Sequence, residues 1–199
     1  MEFIPLIYMK KRKIYLKKTG SPVSLEELLQ KMNGESRLYI LDFDGIEKDK
    51  PNLCTFQRLS PTLDLWLDTG PRNLGDIVDA FMAGATELTL RKNLCSKLKL
   101  SNIREISENK IYTNISYDNL NLNIDEIDFN DSDGLVNLYN KDKLEQDFKS
   151  MDYFNQIKMK NKIYSYESDP KNIEYWKQQK IEGLLIEIDK LEEFKKHDF

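Results

Sequence analysis

The stretch from Asp64 to Arg91 constrains this chain more than any other. An apolar run, Leu63, Leu65, Trp66 and Leu67, stops at Asp68-Thr69-Gly70-Pro71-Arg72, and apolar residues then return at Leu74, Ile77, Val78, Phe81 and Met82 before Gly84-Ala85. The first run suits a buried strand and the second has helical spacing. Asn73 with Asp76 three residues on forms an N-cap pair, and Gly84 ends the helix. Leu88 and Leu90, with Thr89 between them, suit a second buried strand. Strand, helix, strand in this order places the two strands parallel, joined by a right-handed crossover.

The rest of the chain keeps the same rhythm. Phe3 to Tyr8 reads as a first strand and Arg12 to Leu16 as a short extended return. Ser24-Leu25-Glu26-Glu27 has capping-box form, with Leu25, Leu28, Leu29 and Met32 on one helical face and Asn33-Gly34 as the stop. Leu38 to Gly45 reads as a buried strand ending in carboxylates, Glu47 to Pro51 as a polar loop and Leu53 to Leu59 as a short helix. Cys95 to Ile106 has helical spacing at Leu98, Ile103 and Ile106, and Ile111 to Tyr117 is β-branched and aromatic, hence a strand. Asp118 to Asp133, rich in Asn and Asp, predicts a loop. Strands follow at Leu135–Tyr139, Lys162–Tyr166 and Gly183–Ile188, with helices through Leu144 to Phe154, Ile173 to Trp176 and Leu191 to Lys196.

Eight such strands with helices or helix-sized gaps between them predict an α/β fold, a (β/α)8 TIM-type barrel. Such barrels typically run to about 250 residues. At 199 residues the barrel must be reduced, above all in its second half. A shift of 96 positions lays Ile77 on Ile173, Leu88 on Leu184 and Leu90 on Ile186, which divides one barrel domain, 1–199, into half-barrels of about 1–103 and 104–199.

Composition removes several functions. With 30 basic against 34 acidic residues the net charge is −4, which argues against nucleic acid as the main partner. Cys54 and Cys95 stand apart from each other and from the single histidine, His197, so no zinc site is expected; the expectation is no metal and no cofactor. No apolar run approaches the roughly 20 residues of a membrane span, and the order of apolar and basic residues in MEFIPLIYMKKRK is the reverse of a secretory signal. The expected setting is cytoplasmic. The basic run Lys10-Lys11-Arg12-Lys13, with Lys17 and Lys18, reads as a solvated turn, with contact to an anionic partner as the alternative.

Asp42-Phe43-Asp44-Gly45 after a buried strand, Asn52 a few residues on, and Gly70-Pro71-Arg72-Asn73-Leu74-Gly75-Asp76 through Gly84-Ala85 resemble the first half of the histidine-biosynthesis barrels. That family comprises the phosphoribosylformimino-aminoimidazole-carboxamide-ribotide isomerase and the cyclase subunit of imidazole-glycerol-phosphate synthase. Ile4-Pro5-Leu6-Ile7 also matches the start of the family's first strand. The resemblance covers about residues 1 to 92 and is one of spacing beyond them. It implies a catalytic aspartate after Ile-Pro-x-Ile, where this chain has Tyr8, and a partner at the end of the fifth strand, where Asp118 lies within a change of register. A phenol with a pKa near 10 is no general base at neutral pH without a large shift.

The family's two phosphate sites are retained unevenly. Gly70 keeps the glycine turn of one, and Arg91-Lys92 replaces its Gly-Thr or Gly-Ser. Arg72, Arg91 and Lys92 around Gly70 would hold an anion by charge-assisted bonds. In the other half Ser165-Tyr166-Glu167 and Glu187-Ile188 place carboxylates where a dianion would sit. The expected function is binding of a small phosphorylated or carboxylated metabolite at one remaining half-site, without the parent isomerase activity. If the protein is an enzyme, the resemblance implies an isomerase- or lyase-type sugar-phosphate enzyme, with Asp42, Asp44 or Asp118 for acid and base chemistry. Asp42, Asp44 and Asp68 would gather at the barrel mouth; capping of the following helices is the plainer use of such aspartates. A non-catalytic partner of a metabolic enzyme is the alternative, and a true ribotide isomerase the third.

Overall fold

A computed structural model describes residues 1–96, 98–117 and 132–198. Its first half contains β1 (Glu2–Lys10), β2 (Lys13–Tyr15), α1 (Leu25–Met32), β3 (Arg37–Asp42), α2 (Phe43–Lys48) and α3 (Leu53–Leu59). Next come β4 (Asp64–Asp68), α4 (Leu74–Met82), β5 (Ala85–Leu90) and α5 (Leu100–Arg104). The second half contains β6 (Lys110–Asn114), β7 (Gly134–Asn137), α6 (Lys141–Glu145), α7 (Phe148–Ile157) and β8 (Ile163–Tyr166). It ends with α8 (Ile173–Gln178), β9 (Gly183–Glu187) and α9 (Leu191–His197).

Strands β1 and β3 to β9 form a parallel sheet in sequence order, and β9 pairs back with β1 from Gly183 against Glu2 to Glu187 against Leu6. Eight strands therefore close into a (β/α)8 barrel, with β2 outside it as an antiparallel return on β1. The asparagine-aspartate capping box of α4 forms as its spacing requires: Asn73 Oδ1 accepts from Asp76 N, and the Asp76 carboxylate accepts from Asn73 N. None of the described helices is long and apolar enough to cross a membrane.

Alternation along each strand sorts the core into two shells. Ile7, Met9, Leu38, Ile40, Leu65 and Leu67 face the surrounding helices. Ile4, Leu6, Tyr8, Tyr39, Leu41, Trp66, Tyr112, Val136 and Leu185 face the barrel axis. Bulky rings fill this interior: the Trp66 centroid lies 5.0 Å from Tyr39, 4.1 Å from Tyr112 and 5.0 Å from Tyr164.

Three local expectations change. Phe43-Asp44-Gly45 does not extend β3, because Asp42 accepts from the backbone N–H of Asp44 and Gly45 and starts α2 there. The helix expected through Leu144 to Phe154 is broken into α6 and α7, since Asp147 caps a new start by accepting from Lys149 N and Ser150 N. The helical spacing of Cys95 to Ile106 yields only α5. Most of the loop expected at Asp118 to Asp133 lies outside the described residues.

Candidate functional site

The C-terminal ends of the strands form the barrel mouth, and alternation decides which side chains reach it. Leu41 faces inward, so Asp42 must face outward, toward α2. Its carboxylate accepts from Asn52 N at 2.8 Å and Asn52 Nδ2 at 2.7 Å, besides the two amides of α2. Burial pushes the Asp42 carboxyl up to about 6, against the opposing pull of the bonds from Asn52. Asp44 meets it through Asn52 Nδ2, and also accepts from Arg12 N at 2.8 Å and Lys48 Nζ at 2.8 Å. Burial raises the Asp44 carboxyl, but the bonds from Lys48 and the hairpin backbone prevail and hold it below the usual carboxylate range.

Asp68 shares parity with Trp66 and points inward, away from that pair. It accepts two bonds from Arg91, Nε at 2.9 Å and Nη2 at 2.7 Å, and one from Tyr39 OH at 3.0 Å. Burial and the charge of Asp68 push the Tyr39 phenol well above its ordinary value. The structure thus brings Asp42 and Asp44 together on Asn52 and gives Asp68 different partners. Asp118 lies outside the described residues.

The four residues around the glycine turn have separate settings. Gly70 has φ +66°, and a Cβ there would come within 2.9 Å of Ile46 Cα and 2.8 Å of Leu94 Cδ1. Close packing of the protein itself therefore requires this glycine. Arg72 donates through Nη1 to the carbonyls of Gly45 and Gly70 and to Asp49, and through Nη2 to Ile46 O, so its guanidinium caps the C-terminal end of α2. Arg91 is held in the fork with Asp68. Lys92 follows it; burial pushes the nearby Cys95 thiol up, against a weaker downward pull from the Lys92 charge.

In the second half the carboxylates accept from the protein's own amides and side chains. Glu167, fully buried, takes Ser168 N at 2.6 Å and Asp169 N at 3.0 Å on Oε1. Its Oε2 takes Trp176 Nε1 at 2.8 Å, Asn172 Nδ2 at 3.2 Å and Lys141 N at 3.3 Å. Glu187 Oε1 accepts from Tyr8 OH at 2.9 Å, Lys18 N at 3.2 Å and Tyr166 OH at 3.5 Å. Burial, with the neighbouring Tyr166 and Glu187, raises the Tyr8 phenol far above its ordinary value. Asn137 completes this rim: its amide donates to Ser165 Oγ at 2.6 Å and Tyr139 O at 2.7 Å, and it accepts from Tyr117 OH at 3.0 Å.

The opposite end of the barrel is plugged. Arg37 donates to Glu2 at 2.7 Å and Glu87 at 2.6 Å, and its guanidinium lies 4.7 Å from the Trp66 ring centroid and 5.3 Å from that of Tyr164. At the mouth a cavity of about 290 Å³ opens over Tyr8, beside the hairpin of β1 and β2. None of Gly70, Arg72, Arg91 and Lys92 lines it. Sequence reasoning read the lysines at its rim as a solvated turn; the available signal was six basic residues within Lys10 to Lys18, beside Tyr8 and Tyr15.

No protein-family model matches the chain, and no curated protein matches it. Among solved structures it is similar to 3-hexulose-6-phosphate synthase from Salmonella typhimurium, with a TM-score of 0.64 and 11% identity over 99% of this chain and 100% of that one. At that identity the likeness shows the barrel fold and carries no chemistry.

Proposed function

We propose that this barrel is a diverged relative of the histidine-biosynthesis barrels that binds a small phosphorylated or carboxylated metabolite at its C-terminal mouth and lacks the ribotide isomerase reaction. The bond from Tyr8 to Glu187 carries this reading. The resemblance asks for a carboxylate base at position 8; this chain has a buried phenol whose proton is committed to a neighbouring carboxylate. A general base must accept a proton at working pH, and this phenol is a donor there.

The carboxylates at the strand ends, whichever way they face, support binding over turnover. Asp42, Asp44, Asp68, Glu167 and Glu187 all accept bonds from the protein's own amides and side chains. Ligand binding at the C-terminal face is the habit of this fold. The unpaired cysteines Cys54 and Cys95 fit a reducing, cytoplasmic setting.

Two measurements test the reading together. Incubation with the aminoimidazole-carboxamide ribotide substrate is expected to give no isomerised product. The thermal midpoint is expected to rise with singly phosphorylated or carboxylated ligands, as any ligand of the native state must raise it. Turnover of the ribotide would restore the isomerase assignment. A midpoint unmoved by phosphate, sugar phosphates and ribonucleotides would leave the non-catalytic protein partner as the better reading.

A further inference from the structure

The cavity over Tyr8 has walls built by long-range contacts. Tyr15 lies directly across the strand pair from Tyr8, and Phe43 stacks parallel to Tyr8 at a centroid distance of 5.9 Å. Lys11 and Arg12, with φ of 51° and 59°, make the two-residue turn that joins β1 to β2. Asp44 fixes this turn through Arg12 N, and Glu187 ties the returning segment down through Lys18 N. Both nearby carboxylates are thereby used in the walls. The rim carries Lys10, Lys11 and Lys18, whose side chains are exposed and form no ion pair among the described residues.

We infer that this cavity binds a single aromatic ring bearing one phosphate, the ring against Tyr8, Tyr15 and Phe43 and the phosphate among Lys10, Lys11 and Lys18. Aromatic walls favour a planar π-face, and ammonium groups favour a compact dianion. The volume, about 290 Å³, falls just below the roughly 300–1,000 Å³ of ligand sites and suits one ring, not a dinucleotide. The inference rests on the proposed metabolite-binding reading and gives it a location away from Gly70 and Arg72.

The test is calorimetric titration of the intact chain with phenyl phosphate, ribose 5-phosphate and inorganic phosphate at low salt. Phenyl phosphate is expected to bind at least tenfold more tightly than either comparator. The Lys11→Ala, Lys18→Ala double variant is expected to lose at least tenfold in affinity. Phe43→Leu, which keeps an apolar side chain, is expected to erase the preference for the ring while leaving phosphate binding. Equal binding of ribose 5-phosphate overturns the aromatic assignment. Binding that survives the lysine changes but disappears in Arg72→Ala overturns the location and leaves the broader metabolite reading standing. Absence of binding by all three overturns the inference; the broader reading then falls only if its wider ligand panel is also flat.

Discussion

Tyr8 OH donates to Glu187 Oε1 across the β1 and β9 pair that closes the barrel, joining residues 179 positions apart at 2.9 Å. Tyr8→Phe removes the donor and leaves the largely buried Glu187 with Lys18 N and the longer contact from Tyr166. The expected cost is about 1–2 kcal/mol, read from urea unfolding. Tyr8→Asp, which restores the carboxylate implied by the family resemblance, should cost more, because two carboxylates then face each other. An unchanged unfolding midpoint in both variants would deny the bond its role.

Arg91→Ala strips a completely buried Asp68 of its two-pronged partner and leaves it Tyr39 alone. Removing one member of a buried pair typically costs about 3–5 kcal/mol. Arg91→Lys should recover only part of this, since an ammonium group lacks the planar fork. Equal stability of the Lys variant and the native protein would contradict this account.

Asp42 and Asp44 give opposite pH dependences. The Asp42 carboxyl is raised from 3.8 to about 6, so the folded chain holds this proton more tightly than the unfolded chain. Its contribution grows as pH falls from about 6 to about 4, on the order of 3 kcal/mol in full, and is lost as pH rises through about 6. Asp44 is depressed, so its contribution is present above about pH 4 and is lost as pH falls further. Urea unfolding at several pH values should show stability rising between about pH 7 and 4 and falling below. Asp42→Asn should flatten the upper limb; an equal slope in that variant would assign the limb to other groups.

Much of the fold could be read from the sequence because the signals are local. Periods of two and of 3.6, with the Asn73 and Asp76 cap, are enough to define β4, α4 and β5. The start of α2 was hidden because Phe43-Asp44-Gly45 continues the apolar and acidic run of β3 and contains a glycine. The site was harder to read. The sequence gathers Asp42 at the mouth with Asp44 and Asp68, whereas strand parity in the structure turns it outward onto Asn52. The partners of Arg72 and Arg91 required knowing that α2 and β4 lie beside their loops. The cavity depends on Lys18 meeting a carboxylate 169 positions away, which no window of sequence contains.

Arg72→Ala should release the four acceptors at the end of α2 and around Gly70, at a cost of about 1–2 kcal/mol. Hydrogen exchange should then accelerate in Ile46 to Asp49 before other segments. Uniform acceleration over the whole barrel would show that the capping role is misassigned.

Glu167→Ala should be among the most damaging single changes, at about 3–5 kcal/mol, since five donors lose their acceptor at once. Added formate should raise the thermal midpoint of this variant by clearly more than that of the native chain. Failure of formate to distinguish them would mean that the donors relax apart when the carboxylate is gone.

The five donors that converge on Glu167 form a socket whose plug is covalently attached. A tethered carboxylate cannot dissociate, so the β8 side of the mouth is set at all metabolite concentrations and cannot report on any of them. On the proposed reading, responsiveness to a metabolite falls instead to the side where β1 turns into β2, whose walls are held by Asp44 on Arg12 N and Glu187 on Lys18 N.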